Sequence, residues 1–185
     1  MKIILPIISI ALLVSSSISQ AEKLFLQAGL HFGGDKLASV TFTDGTTETM
    51  HAGGMISFSA GLISEIEEGL ELRASIGIKF DTITASNGDM DFTRYPINAM
   101  VFKKGELLNV GIGATYHLSP SFQATGPLTG NITYDFDNAL GFVVEVDYPL
   151  NEKSYLGIKA TAIDYTLGSA TINGNSLGVV VGIMF

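Results

Sequence analysis

The feature that most constrains this chain is alternation. In eight separate segments every second residue is apolar, and the residues between are mostly small or polar. A period of two is the mark of a β-strand with one face in an apolar medium. The first segment places Leu24, Leu26, Ala28, Leu30 and Phe32 on one face, and the second Ile56, Phe58, Ala60 and Leu62. The third gives Leu70, Leu72, Ala74, Ile76, Ile78 and Phe80, and the fourth Tyr95, Ile97, Ala99 and Val101. The fifth runs from Leu108 through Val110, Ile112, Ala114 and Tyr116 to Leu118, and the sixth from Leu140 through Phe142, Val144, Val146 and Tyr148 to Leu150. Leu156, Ile158, Ala160 and Ala162 form the seventh; Leu177, Val179, Val181, Ile183 and Phe185 form the eighth. No charge, amide, Ser or Thr interrupts any of these faces. Five given positions in a chain 46% hydrophobic would all be apolar about 2% of the time, so eight such segments are not accidental.

The connections alternate too. Residues 63–69, 103–106 and 151–154 are short, whereas 33–54, 82–93, 119–138 and 164–175 are long and rich in Gly, Thr, Asn and Asp. Short turns on one side and long loops on the other predict an all-β, antiparallel, up-and-down transmembrane barrel of eight strands, with periplasmic turns and extracellular loops. Lys104-Gly105 reads as a two-residue hairpin turn that sets Lys103 opposite Glu106, Val101 opposite Leu108 and Ala99 opposite Val110. A three-residue turn near Glu152 or Lys153 also keeps apolar opposite apolar. Asp44-Gly45, between Val40–Thr43 and Thr46–Thr49, predicts a hairpin inside the first long connection.

The N-terminus agrees with an exported protein. Lys2 precedes the apolar run Ile3–Val14, and Ser19-Gln20-Ala21 offers a small-x-small cleavage site, so residues 1–21 read as a signal peptide. The run is too short for the ~20 apolar residues of a spanning helix. Residues 22–185 then form one barrel domain with nine basic and eighteen acidic side chains, a balance that disfavours nucleic-acid binding. There is no Cys, so no disulfide holds the fold.

The polar faces are rich in Gly and Ser, and their charges balance: Glu71, Asp81, Glu145 and Asp147 against Arg73, Lys79, Arg94 and Lys159. A solvated exterior has no need of such balance, whereas ions in a narrow lumen must be paired. The polar faces are therefore expected to point inward and the apolar faces toward lipid. Lys159 falls opposite or diagonal to Glu145 and Asp147 on neighbouring strands.

The chain ends on a strand whose last residue is Phe185. This resembles the terminal aromatic signature by which outer-membrane barrels are recognised for assembly. With the export signal and eight strands, the chain resembles the small-barrel group typified by OmpX, the membrane domain of OmpA, and OmpW. The resemblance implies an integral outer-membrane location, contact with lipid and lipopolysaccharide, and delivery by the barrel-assembly machinery.

Eight strands leave an interior just wide enough for side chains to fill it. The expected function is thus non-enzymatic: envelope integrity, or recognition of an extracellular ligand by the loops. The alternative is a narrow channel of the OmpW kind for small or apolar solutes. His117-Leu118-Ser119 also resembles the His-x-Ser element of outer-membrane lipid A deacylases, but Asn131 stands where an acidic third residue is needed and Asp135 and Asp137 come later. Alternation turns His117 inward, away from lipid, which opposes that activity. Asn87-Gly88-Asp89-Met90-Asp91 spaces oxygen ligands without the full calcium-loop pattern. His31 and His117 lack a third ligand, so no metal or cofactor is expected.

Overall fold

The computed structural model describes residues 23–42, 44–85, 88–126 and 130–185; the leader assigned to residues 1–21 lies outside the described residues. Among the described residues there are thirteen strands: β1 (Lys23–Phe32), β2 (Lys36–Thr41), β3 (Thr47–His51), β4 (Met55–Glu67), β5 (Leu70–Ala85), β6 (Gly88–Lys103) and β7 (Asn109–Gly126), followed by β8 (Gly130–Asp135), β9 (Ala139–Asn151), β10 (Ser154–Ala162), β11 (Asp164–Leu167), β12 (Ala170–Asn173) and β13 (Ser176–Met184). Eight of them close into an antiparallel ring in the order β1, β4, β5, β6, β7, β9, β10, β13, with β13 returning to β1 through pairs such as Leu26 opposite Ile183. Closure removes the unpaired strand edge, which is what permits a sheet to stand in lipid.

The faces are as alternation predicts. Ile76, Leu140 and Phe142 are more than two-thirds exposed on the outside, whereas Glu71, Arg73, Lys79, Arg94, Glu145, Asp147 and Lys159 are buried within. Glycine on the inner face makes room for large rings directly across the ladder. A Cβ on Gly111 would come within 2.6 Å of the Phe102 ring, its cross-strand partner, and Gly182 stands in the same relation to Tyr155.

The turn assigned to Lys104-Gly105 is corrected. The structure sets Val101 opposite Ile112 and Ala99 opposite Ala114, four residues away from the expected partners, and Lys103 opposite Val110 rather than Glu106. The Lys104 amide is taken by Gly69 O in the adjacent turn at 2.8 Å, and Gly105 N reaches Leu108 O at 3.1 Å, so the connection is longer and docked on its neighbour. At the turn between β9 and β10 Ser154 pairs with Asn151, and a register shift before Tyr155 restores Leu156 opposite Tyr148.

At least half of each long connection is itself strand. β5 and β6 pair as far as Ala85 opposite Gly88, β7 and β8 form a hairpin, and so do β11 and β12. β2 and β3 flank Asp44-Gly45, where Asp44 Oδ1 accepts bonds from the Thr46 amide at 2.9 Å and hydroxyl at 2.7 Å. Those bonds hold the exposed Asp44 carboxyl below its usual range.

Along these extensions the two faces exchange polarity. On β5 the outward residues pass from Ile76, Ile78 and Phe80 to Thr82 and Thr84, while the inward ones pass from Lys79 and Asp81 to Ile83. On β6 Asp91 and Thr93 turn outward of the Phe92 position, and on β11 Asp164 lies outside and Tyr165 inside. A wall apolar outside and polar inside suits lipid; the reverse suits water. The exchange therefore marks where the barrel leaves the membrane and becomes a water-facing cap.

Candidate functional site: the lumen and its cap

The lumen is built in three layers. The periplasmic layer rests on Arg73 of β5, whose guanidinium reaches Glu71 Oε1 at 2.6 Å and crosses the lumen to Asp147 Oδ2 on β9 at 2.6 Å. Arg73 also lies over the Phe102 ring, 3.7 Å from its centroid. Lys104 enters from the turn and places Nζ 3.1 Å from Glu71 Oε2. Beside this group Lys159 Nζ lies 3.0 Å from Glu145 Oε2, its directly opposite residue on β9. Gln27 donates to Glu145 Oε1 at 2.7 Å and accepts from Lys159 at 3.3 Å, tying β1 into the network. Each of the three cations here meets a carboxylate, and Lys104 also lies 4.0 Å from Glu65 Oε1 at the rim, the arrangement that makes buried charge tolerable.

The middle layer is different. Lys79 Nζ donates to Ser176 Oγ at 3.0 Å, and among the described residues neither Lys79 nor Arg94 has a carboxylate within salt-bridge reach. Arg94 donates instead to the carbonyls of Phe92 and Gly54 and lies over the Phe92 ring. Asp81 accepts from the backbone at His51 and Thr82. The outer layer is apolar: Met50, Ile83, Phe92, Phe122, Phe136 and Tyr165 pack together beneath the hairpins, and Phe92 meets Tyr165 and Phe136 edge to face.

The eight charges singled out from sequence thus share one lumen, but only Glu71, Arg73, Asp147, Glu145 and Lys159 come together as ion pairs. Sequence reasoning missed Lys104, spent on a turn, and Gln27 and Tyr155, which extend the network (Gln27 Nε2 to Tyr155 Oη, 3.0 Å). Alternation already put Gln27 inside; nothing local marked Lys104.

The hydrolase arrangement is not assembled. His117 is buried and bonded through Nδ1 to Tyr165 Oη at 2.7 Å, while Ser119 is exposed, with its amide on Asn138 Oδ1 at 2.8 Å. Asp135 and Asp137 bond Ser121 and Thr166. Asp89 and Asp91 sit in the β6 ladder opposite Thr84 and Thr82, and Asn87 lies outside the described residues. His31 bonds Ser57 Oγ at 2.8 Å, and no group of three metal-ligating side chains occurs among the described residues.

Closed antiparallel strands, an apolar belt and a polar, filled interior define a transmembrane β-barrel. The chain belongs to the family described as outer membrane protein beta-barrel domain, whose sequence model matches residues 7–185, and is thereby an outer-membrane protein. No curated protein matches it in sequence. Among solved structures it resembles Ail, the attachment invasion locus protein of Yersinia pestis, at 12% identity over 90% of this chain and 100% of that one, TM-score 0.53. It resembles neisserial surface protein A, NspA, at 13% identity over 89% and 97%, TM-score 0.51. A major outer membrane protein of Thermus thermophilus resembles it at 14% identity over 90% and 100%, TM-score 0.51. At these identities the likeness is one of fold.

Proposed function

We propose that this chain is a non-enzymatic surface protein, closed to bulk flow, that serves envelope integrity and meets extracellular partners through its outward hairpins. The observation that carries this reading is a lumen filled from end to end. Ion pairs occupy the periplasmic layer and an apolar core the outer one, and two voids among these inward side chains measure about 30 Å³ and 10 Å³. Voids of that size hold single waters rather than a water column. Planar-bilayer recordings of the folded barrel test it, with Lys159→Ala and Glu145→Ala beside the wild type. Silence in all three is expected; discrete openings in the wild type would overturn it in favour of a narrow channel.

The chemistry of the cap narrows the partner. Asp35, Asp44, Glu48, Asp89, Asp91, Asp135, Asp137 and Asp164 stand on its outer side against Lys36 alone. Ail has been solved with the heparin analogue sucrose octasulfate. A polyanion of that kind would be repelled by this cap, so the partner is a neutral or cationic surface. Phe185, exposed at the end of the closing strand with its amide on Leu24 O at 2.9 Å, serves as the assembly signal, and residues 1–21 as the cleaved leader.

A further inference from the structure

The middle layer of the lumen holds one positive charge too many, and a void lies beside it. Lys79 stands directly across the ladder from Arg94, so two cations face the same interior from adjacent strands. Like charges so placed destabilise a sheet unless something screens them. Arg94 donates to the Gly54 and Phe92 carbonyls, and Asp81, the one carboxylate of the layer among the described residues, accepts from the backbone at His51 and Thr82 and acts on Arg94. Arg94 faces Lys79 across the ladder, and Lys159, also positive, lines the same void. Lys159 is already matched by Glu145 at 3.0 Å. One of the three ammonium donors of Lys79 is used, on Ser176 Oγ.

The void of about 30 Å³ is lined by Lys79, Lys159, His31, His117, Asn98 and Thr115 among others. Thr115 is 2% exposed, and its Oγ1 has no hydrogen-bond partner among the described residues. A buried hydroxyl without a partner is rare enough in folded proteins to call for an explanation. Thr115 and Lys79 line the same space, and both have donor capacity left for an acceptor placed there.

We infer that this void is a binding site for one small monovalent anion, chloride in size and charge, held by Lys79 Nζ and the Thr115 hydroxyl. Its charge matches the surplus of the layer, two cations against one carboxylate. The volume exceeds the ~10–15 Å³ a single water needs but leaves no room for a bulky organic or oligomeric anion. The apolar layer above closes the site, so the ion is a structural counter-ion that exchanges slowly and carries no current. The inference extends the reading above and does not depend on which surface the cap meets.

The test uses the full mature barrel, folded into detergent micelles for crystals and into lipid vesicles for stability. Crystals grown in bromide should show an anomalous peak in the void against Lys79 Nζ; an empty or water-filled void under bromide would overturn the site. In vesicles the denaturation midpoint of the wild type should rise saturably as chloride replaces gluconate at constant ionic strength. Lys79→Met should abolish that rise, and an unchanged rise refutes the assignment. Should Lys79→Met not fold, Thr115→Val keeps the charge and removes the orphan donor. It should require several-fold more chloride for the same rise, and a response identical to wild type counts against the site.

Discussion

Arg73 offers the sharpest test of how the lumen is held, because one side chain binds a carboxylate on its own strand and a second across the lumen. Its guanidinium is bonded to Glu71 at 2.6 and 2.8 Å and to Asp147 at 2.6 Å, and it lies over Phe102. Replacing it with Met keeps the length and removes the charge. Glu71 would retain Lys104 at 3.1 Å, but Asp147, buried with its Oδ1 already unpartnered, would lose its ion-pair partner. Breaking a buried pair from one side costs about 3–5 kcal/mol, with the lost ring contact inside that range. Arg73→Met/Asp147→Leu removes both ends, so the double variant should be more stable than the sum of the single costs by about 1–3 kcal/mol. The assay is urea unfolding in lipid vesicles, read by heat-modifiable gel mobility and tyrosine emission, since the chain has no Trp. A cost for Arg73→Met below about 1 kcal/mol, or strictly additive costs, would refute the claim that this guanidinium organises the periplasmic layer.

The exchange of polarity predicts a depth dependence outside the barrel. Ile76→Arg, in the apolar belt, should cost about 2–4 kcal/mol in the same unfolding assay, whereas Thr84→Lys, in the cap, should cost about 0–1 kcal/mol; equal costs would misplace the membrane boundary. Phe185→Ala should lower the amount of folded barrel in cells, judged by heat-shifted mobility of the membrane fraction, while leaving refolding of the purified chain nearly unchanged. Loss of both would make Phe185 a packing residue rather than a recognition signal.

What sequence could and could not reveal follows from the symmetry of a strand. Alternation assigns faces, and a face is unchanged by any slip of an even number of residues. The Lys104-Gly105 turn misplaced β7 against β6 by four positions, yet every residue stayed on its assigned side. The turn rule failed because Lys104 has partners on the neighbouring hairpin, the Gly69 carbonyl and the Glu71 carboxylate, and these outweigh a local preference. Strand ends failed for another reason. A reading that follows an apolar outer face must stop where that face turns polar, at Phe80 or Tyr95, although the ladder continues to Ala85 and back from Gly88.

The charges divide along the same line between adjacent and distant strands. Lys159 and Glu145 are ladder neighbours, so their pairing was legible from spacing. Arg73 and Asp147 lie on β5 and β9, which are not neighbours in the ring, and their contact depends on how wide the barrel is at that height. Charge balance likewise counted four against four without placing them. Arg73, Lys104 and Lys159 are all matched by carboxylates low in the lumen, and the surplus cation is left beside Thr115. The net charge of the whole chain is −8. Yet the cap alone holds eight carboxylates against Lys36, so nearly all of that charge stands in water on the outer side. A global count therefore says little about the membrane span and a great deal about the surface that faces outward, because charge inside the wall must cancel locally while charge on the cap is free to accumulate.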